Sequence, residues 1–220
     1  MNGAAPGPDE AELRAAIVGV MRAMAERGLN RGTSGNVSAR FDGGLLVTPS
    51  GVPADALTAD SVVRLTPAGE AKAGALKPSS EWRMHAGLYA RRPDVSAVVH
   101  CHSRHATILA CAGRPIPPLH YMVGVSGRSA VPVAPYATFG TEALAQGVAD
   151  TLDGGFACLM ANHGQIAVAP TLARALAIAE EIEEQAAVYW GALAIGGPRL
   201  LDETQMAEVA LMFRSYGQGR

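Results

Sequence analysis

The chain has 220 residues, of which 49% are apolar and 5% aromatic, and it carries a formal net charge of −2. This length predicts one domain over residues 1–220, with 1–8 as a flexible lead-in, and the balanced charge argues against nucleic-acid or anionic-membrane partners, which require a basic face. No apolar run is long enough to span a bilayer, and three cysteines without metal-type spacing favour reduced thiols in the cytoplasm.

The first part of the chain predicts a helix followed by a hairpin. Apolar residues recur at helical spacing after Asp9, the predicted N-cap, with Glu12 as its capping-box partner and Gly28 as the stop. The segment 36–51 contains two apolar runs around Asp-Gly-Gly at 42–44, which predicts a β-hairpin.

The rest of the chain alternates strands and helices. A short strand is predicted within 57–76, followed by a helix that is capped by Ser79 or Ser80 and ends before Pro93. The later elements are, in chain order, a strand holding His100 and His102, a helix over 103–113, a strand over 131–136, a helix over 141–152, two strands over 156–169, and helices over 171–197 and 202–217. Because several strands pair as hairpins, the sequence predicts a layered α/β domain with a mixed or largely antiparallel sheet.

The stretch "VVHCHSRHA" places two histidines where they can share a metal ion. On a strand, His100 and His102 point to the same face and lie roughly 6.6 Å apart, within reach of one cation at metal–nitrogen distances of about 2.1 Å. His163, on the turn "NHG", is the best candidate for a third ligand. The alternative is that both are ordinary polar residues of a half-exposed strand. The neighbouring and remaining candidates are predicted to be structural: His85, His105, His120 and the buried Cys101.

Three turns of small residues are candidate anion sites. They are "TSGNVS" at 33–38, "TPSG" at 48–51 and "PSSE" at 78–81, the last at a predicted helix N-terminus. The alternative for each is an ordinary turn or cap, since such turns are normally made of Ser, Thr, Gly and Asn. No phosphate loop of the Walker type and no dinucleotide fingerprint is present, so nucleotide binding is not supported.

Taken together, the motifs resemble the class II aldolase/adducin family. "GNVS", "TPSG", "PSSEWRMH", "AVVHCH" and "NHG" occur in the family's order over residues 35–164. "LHY" at 119–121, "APYATFGT" at 134–141 and "SYG" at 215–217 resemble most the branch that cleaves L-fuculose 1-phosphate, whereas "VGVSGRSA" at 123–130 departs from it. The resemblance implies a three-layer α/β/α domain around a mostly antiparallel sheet, and a homotetramer with active sites between subunits.

The resemblance also implies roles for individual residues. One zinc ion per subunit would be held by His100, His102 and His163, with Glu81 as catalytic acid/base and as a further ligand before substrate arrives. The substrate phosphate would be bound by Gly35, Asn36, Ser50, Gly51, Ser79 and Ser80. Tyr121 and Tyr216 would act on the aldehyde side, and Phe139 would shape that end of the site.

The implied reaction is reversible cleavage of a ketose 1-phosphate, a small-molecule sugar phosphate, to dihydroxyacetone phosphate and an aldehyde. Cleavage leaves an enediolate, which zinc bound to neutral imidazoles would stabilise as a Lewis acid. The only lysines, Lys72 and Lys77, lie in polar loop sequence, which argues against a Schiff base. Glu81 would exchange a proton with the enediolate carbon; its alternative is an acid that complements the helix dipole.

Other activities on the same scaffold remain open from the sequence. They are 4-epimerisation of a pentulose 5-phosphate, dehydration of methylthioribulose 1-phosphate, and decarboxylation of a phosphorylated oxo-acid. The epimerase branch carries aspartate where this chain has Glu81. Cleavage of 5-deoxyribulose or methylthioribulose 1-phosphate would require only a changed aldehyde pocket. The adducin branch uses the fold as a non-enzymatic interaction module, which does not require metal ligands.

Overall fold

The computed structural model describes residues 9–215, so Tyr216 and the predicted lead-in lie outside the described residues. Seven strands form one sheet. They are β1 (Asn36–Phe41), β2 (Gly44–Val47), β3 (Val63–Leu65), β4 (Ala97–Cys101), β5 (Val133–Ala134), β6 (Ala157–Met160) and β7 (Gly164–Ala169). The hairpin predicted from Asp-Gly-Gly is present as β1 and β2, with left-handed backbone at Asp42 and Gly43 in the turn.

The strand order is β3-β2-β1-β4-β7-β6-β5, and neighbours are antiparallel except for the parallel pair β5–β6. The prediction of a mixed, mostly antiparallel sheet is therefore confirmed. The central strand β4 pairs with β1 and with β7, which are far apart in the chain. These two non-local pairings place the end of "AVVHC" beside both "GNVS" and "NHGQ".

Six α-helices lie in the described part of the chain, and five of them cover the two faces of the sheet. The six are α1 (Glu10–Glu26), α2 (Trp82–Arg91), α3 (Arg104–Cys111), α4 (Glu142–Leu152), α5 (Leu172–Ala194) and α6 (Glu203–Ser215). α1, α3 and α5 pack on one face and α2 and α4 on the other, so the predicted three-layer α/β/α architecture is confirmed. Among the described helices, none is both long enough and apolar enough to cross a membrane.

Strand β4 is buried on both faces, as expected of a central strand between two helical layers. Val99 and Cys101 belong to the core beneath α1, α3 and α5, and Val98 belongs to the core beneath α2 and α4. His100 therefore points toward the α2 layer, and the expectation that Cys101 faces the opposite side and is buried is confirmed.

The predicted start of α1 is confirmed in position but lacks its capping bond, and the predicted cap of α2 is wrong. Asp9 occupies the N-cap of α1 with extended backbone but makes no side-chain capping bond, so the capping box with Glu12 does not form. α2 begins at Trp82 with Glu81 as its N-cap, not at Ser79 or Ser80. The reason is local: the Ser79 hydroxyl accepts a hydrogen bond from the Glu81 N–H (3.3 Å) in a turn that precedes the helix.

Helix α3 is capped from another helix. The Glu183 carboxylate of α5 accepts hydrogen bonds from the N–H groups of His105 (2.9 Å) and Ala106 (2.9 Å) and lies 2.8 Å from the His105 ring. His105 is thus a structural residue of this cap. The Glu183 carboxylate thereby holds the first turn of α3, which begins two residues after His102.

We expect Glu183→Ala to lower the free energy of unfolding by about 1–2 kcal/mol, because two orphan N–H groups lose their acceptor. Urea denaturation followed by circular dichroism measures the change. Glu184→Ala, the same truncation at the exposed neighbouring position, should change it by less than about 0.5 kcal/mol. Equal losses in the two variants would contradict the capping role.

Candidate metal and substrate site

The three predicted metal ligands converge at the C-terminal end of β4. His100 is in β4, His102 follows its last residue, and His163 lies in the turn between β6 and β7. The antiparallel β4–β7 pairing brings this turn alongside the end of β4. The three ring centroids are 4.8–4.9 Å apart, and one ligating atom from each residue lies within 4.8 Å of the others.

The side chains of His100 and His102 converge as predicted, but the two residues do not both lie in the strand. β4 ends at Cys101, so His102 lies outside the strand. The rings nevertheless approach closely, with 3.0 Å between the Nε2 atoms of His100 and His102. Backbone that turns after the strand brings the second ring closer than two residues of an extended strand would.

Glu81 completes the cluster from the start of α2. Its Oε2 lies 3.2 Å from His100 Nε2, and its Oε1 lies 3.3 Å from His163 Nε2. The carboxylate is buried, and Oε1 has no hydrogen-bond partner among the described residues. Donors bound tetrahedrally at about 2.1 Å would be roughly 3.4 Å apart, close to the separations seen here. Three imidazoles and an orphaned carboxylate oxygen therefore fit a divalent cation.

The electrostatics of the cluster favour the ligating forms of Glu81, His102 and His163 but not that of His100. Burial would raise the pKa of Glu81, but His100, His163 and a hydrogen bond from Asn36 together hold that pKa well below its usual value. Burial lowers the pKa of His102 and of His163 to about 4 in each case, so both rings are neutral. Burial acts the same way on His100, but the Glu81 carboxylate outweighs it and raises the His100 pKa. A bound cation would favour the neutral His100 ring, because an imidazole must be deprotonated to bind a metal ion.

A backbone carbonyl orients the His100 ring, and a side-chain amide holds the main chain at His102. His100 Nδ1 lies 2.8 Å from the carbonyl oxygen of Gln165 and donates to it, which leaves Nε2 directed at the cluster. The main-chain N–H of His102 donates to Asn30 Oδ1 (3.3 Å). The carbonyl partner of His100 is of the kind that fixes the tautomer and angle of a ligating imidazole.

A cleft of about 290 Å³ opens directly beside the cluster, lined by Glu81, His102 and His163. The three predicted anion turns form much of the remaining lining. All six predicted phosphate-binding residues and Phe139 are in this lining: Gly35, Asn36, Ser50, Gly51, Ser79, Ser80 and Phe139. The structure thus brings the metal candidates and the phosphate candidates into one cavity.

Main-chain contacts hold the turns against one another. The Ser50 N–H donates to the Lys77 carbonyl (2.9 Å), and the Ser79 N–H donates to the Thr48 carbonyl (3.0 Å). Gly35 has a φ of +74°, and a Cβ there would lie 2.4 Å from the Asn30 amide and 2.6 Å from the His100 carbonyl oxygen. Only glycine allows the first turn to approach the metal segment this closely.

Asn36 is positioned differently from a simple phosphate ligand. Its Nδ2 donates to Glu81 Oε2 (2.8 Å), and its Oδ1 lies 2.5 Å from His85 Nε2. Both ends of the side-chain amide are therefore engaged inside the protein. Sequence reasoning assigned His85 to structure alone and missed this link. The available signal was spacing, since His85 follows Glu81 by four residues, one helical turn.

The residues predicted for the aldehyde end of the site do not all line the cleft. Phe139 lines the cleft and is 65% exposed, as is Tyr136, which the sequence analysis did not single out. Tyr121 begins a 3-10 helix, stacks on His120 and is 51% exposed, and it does not line the cleft of its own chain. Its catalytic role, like that of Tyr216, stays a prediction.

The chain matches one protein family over most of its length, and it is similar to several named proteins. The family described as Class II Aldolase and Adducin N-terminal domain matches residues 15–190. The chain is 45% identical over 205 residues to a 5-methylthioribulose-1-phosphate/5-deoxyribulose-1-phosphate aldolase of Rhodospirillum rubrum, covering 93% of this chain and 92% of that one. It is 42% identical over 207 residues to the L-fuculose phosphate aldolase of Escherichia coli K12, covering 94% and 96%.

Solved structures show the same likeness. One L-fuculose 1-phosphate aldolase superposes with a TM-score of 0.89 at 36% identity, covering 92% of this chain and 96% of the other. The L-fuculose-1-phosphate aldolase of Thermus thermophilus superposes with a TM-score of 0.74 at 33% identity, covering 86% of this chain and all of that one (100%). The similarity extends over both helical layers and the sheet between them.

Proposed function

Because the chain belongs to the class II aldolase and adducin family, we propose that it is a zinc-dependent aldolase acting on a deoxy-ketose 1-phosphate. The products would be dihydroxyacetone phosphate and an aldehyde, formed reversibly. The observation that carries this proposal is a single cavity with three imidazoles and a buried carboxylate on one side and three anion-type turns on the other. A sugar phosphate has complementary groups at its two ends.

The cation would be held by His100, His102 and His163, one per subunit. Zinc is proposed because three neutral imidazoles with an open position are a common catalytic zinc set. Bound there, it would supply a Lewis acid for the carbonyl and adjacent hydroxyl oxygens of the sugar.

Glu81 is proposed as the group that moves the proton on carbon. In the synthetic direction its carboxylate would remove a proton from the hydroxymethyl carbon of dihydroxyacetone phosphate, and in cleavage it would return one. The low pKa of Glu81 keeps it in the base form at rest. Its orphaned Oε1 is directed at the cluster rather than at a protein donor, which leaves it available for this proton.

The phosphate would lie among the three turns, and the sugar's distal end would contact Phe139 and Tyr136 at the rim. Two named relatives act on 1-phosphates of L-fuculose and of methylthio- or deoxyribulose. Those substrates share the phosphate end and carry an apolar methyl or methylthio group at the other. An aromatic rim is suited to such a group.

The proposal also includes a cytoplasmic homotetramer in which Tyr121 and Tyr216 serve a neighbouring subunit's cleft. Tyr121 supports this part, because it is half exposed and lies away from the cleft of its own chain. A tyrosine hydroxyl supplied from a neighbour would relay the proton of the sugar hydroxyl whose carbon becomes the aldehyde, accepting it on the phenolic oxygen while passing its own proton to solvent.

The test is a substrate screen with the zinc-loaded protein. L-fuculose, 5-deoxyribulose and 5-methylthioribulose 1-phosphates and a pentulose 5-phosphate are each incubated, and dihydroxyacetone phosphate is detected by coupled reduction. We expect its release from at least one 1-phosphate. A C4-inverted pentulose, loss of water, or loss of carbon dioxide from a phosphorylated oxo-acid would indicate the sister reactions instead. A protein that takes up no metal ion and is inert toward every sugar phosphate would indicate an interaction module.

Ser80→Ala tests the phosphate turns. One lost hydrogen bond to a charged phosphate should raise KM about 10- to 100-fold, with kcat nearly unchanged. Steady-state kinetics measures both constants. Inorganic phosphate serves as the control ligand, because its competitive inhibition should weaken in parallel. A fall in kcat at constant KM would place Ser80 at the chemistry instead of the phosphate.

A further inference from the structure

A continuous line of buried hydrogen bonds ends on Glu81. The Tyr89 hydroxyl lies 2.7 Å from Ser38 Oγ, which lies 2.6 Å from His85 Nδ1. His85 Nε2 lies 2.5 Å from Asn36 Oδ1, and Asn36 Nδ2 lies 2.8 Å from Glu81 Oε2. All five residues are at most 6% exposed. Ser38, His85 and Tyr89 take no part in the mechanism described above.

Two elements supply these residues through their regular periods. Asn36 and Ser38 are two apart and lie on one face of β1. Glu81, His85 and Tyr89 are four apart along the start and body of α2. The two residues of β1 therefore alternate with the three residues of α2, and each side chain contacts the next one across the interface between the strand and the helix.

The chemistry of the end group sets the direction of every bond. An ionised Glu81 can only accept, so Asn36 presents Nδ2 to it and Oδ1 to His85. Since Oδ1 can only accept, His85 Nε2 carries the hydrogen. Burial lowers the pKa of His85 to about 3, so the ring is neutral and Nδ1 is an acceptor. Ser38 must then donate to His85, and Tyr89 to Ser38.

The upstream end of the line is consistent with this direction. Burial raises the pKa of Tyr89 above its usual range, so the hydroxyl keeps its proton and can donate. Each donor is thus satisfied by the next acceptor, and the line points one way, toward the carboxylate.

We propose that this one-way line positions the Glu81 carboxylate, and that His85 is the positioning residue on which the orientation of Asn36 depends. With Oε2 held by Asn36, Oε1 remains the oxygen that exchanges the substrate's proton. Without a donor at His85 Nε2, the Asn36 amide is free to rotate and the carboxylate loses its fixed orientation. The inference deepens the role proposed for Glu81 and rests on that proposed function.

Two substitutions at His85 separate positioning from packing. A Gln amide places an N–H near the Nε2 position, whereas an Asn amide places one near Nδ1. We expect His85→Asn to lower kcat about 10- to 100-fold with KM nearly unchanged, and His85→Gln to restore most of kcat. Urea denaturation should show a similar loss of stability in both. Equal kcat losses would overturn the proposal, because packing alone would then explain them.

A second variant covers the case in which neither His85 variant folds. Ser38→Ala removes the donor to His85 Nδ1 and little volume. It should lower kcat about 2- to 10-fold, the equivalent of one neutral hydrogen bond, again at nearly constant KM. An unchanged kcat would contradict transmission along the line.

A measurement independent of activity uses heteronuclear NMR of labelled histidine side chains in the metal-free protein. His85 should appear as the neutral tautomer protonated at Nε2. The opposite tautomer would overturn the proposed direction. If the wild-type protein cleaves no ketose 1-phosphate but shows the expected tautomer, the proposed aldolase function fails while the directed line to Glu81 stands.

Discussion

Glu81→Gln is expected to lower kcat by about 10²- to 10⁴-fold, the usual contribution of a positioned general base. The substitution keeps the shape of the side chain and an oxygen that can accept from Asn36 Nδ2. It removes the negative charge and the basic oxygen directed at the cluster. Steady-state kinetics with the best 1-phosphate measures the loss.

The fold and metal content of that variant decide how the loss is interpreted. The circular dichroism spectrum should be unchanged, and zinc should remain near one ion per subunit, because all three imidazoles are intact. Glu184→Gln, on the exposed face of α5, is the matched control and should keep wild-type kcat. Turnover at the wild-type level in Glu81→Gln would reject the catalytic role.

The double variant His100→Ala/His102→Ala is expected to lose most of its bound zinc. Two of three imidazoles are removed, and His163 with one carboxylate does not form a complete site. Elemental analysis after zinc loading and dialysis measures the stoichiometry, which should fall from about one ion per subunit to near zero. Aldolase activity should fall with it.

The matched control removes two histidines outside the cluster. His105 is bonded to Glu183, and His120 accepts a hydrogen bond from the Met122 N–H, so His105→Ala/His120→Ala should keep its zinc. Undiminished zinc in the His100/His102 variant would reject this metal site. Loss of zinc in both double variants would instead indicate a general effect on folding.

The aldolase reaction and its sister reactions differ in their products. The aldolase and the decarboxylase each break one carbon–carbon bond, the epimerase breaks and remakes one, and the dehydratase eliminates water. The chain has Glu81 where the epimerase branch has aspartate. The longer side chain of glutamate is consistent with proton exchange at a carbon atom of the substrate. Two relatives whose similarity covers more than nine-tenths of this chain are a 5-methylthioribulose-1-phosphate/5-deoxyribulose-1-phosphate aldolase and an L-fuculose phosphate aldolase. Product analysis therefore decides the reaction, and comparison of the three 1-phosphates decides the sugar.

Local features of this protein could be predicted from the sequence alone. Apolar spacing located the helices, and Asp-Gly-Gly located the first hairpin, because side-chain period and turn chemistry are properties of neighbouring residues. The complete ligand set came from the family resemblance of the motifs. The geometric prediction for His100 and His102 assumed that both residues lie in one strand. β4 ends at Cys101, one residue before His102.

The contacts that form the site join segments that are far apart in the chain. His163 meets His100 because β4 pairs with β7, and Asn36 meets both Glu81 and His85 because β1 packs against α2. Neither pairing has a local sequence signal, since it is selected by burial of two whole cores rather than by adjacent residues. The sequence by itself determined which chemical groups are present and which local elements carry them. Only the tertiary structure decided which oxygen of the Glu81 carboxylate is held by Asn36 and which has no hydrogen-bond partner among the described residues, because that choice is made by hydrogen bonds between elements far apart in the chain.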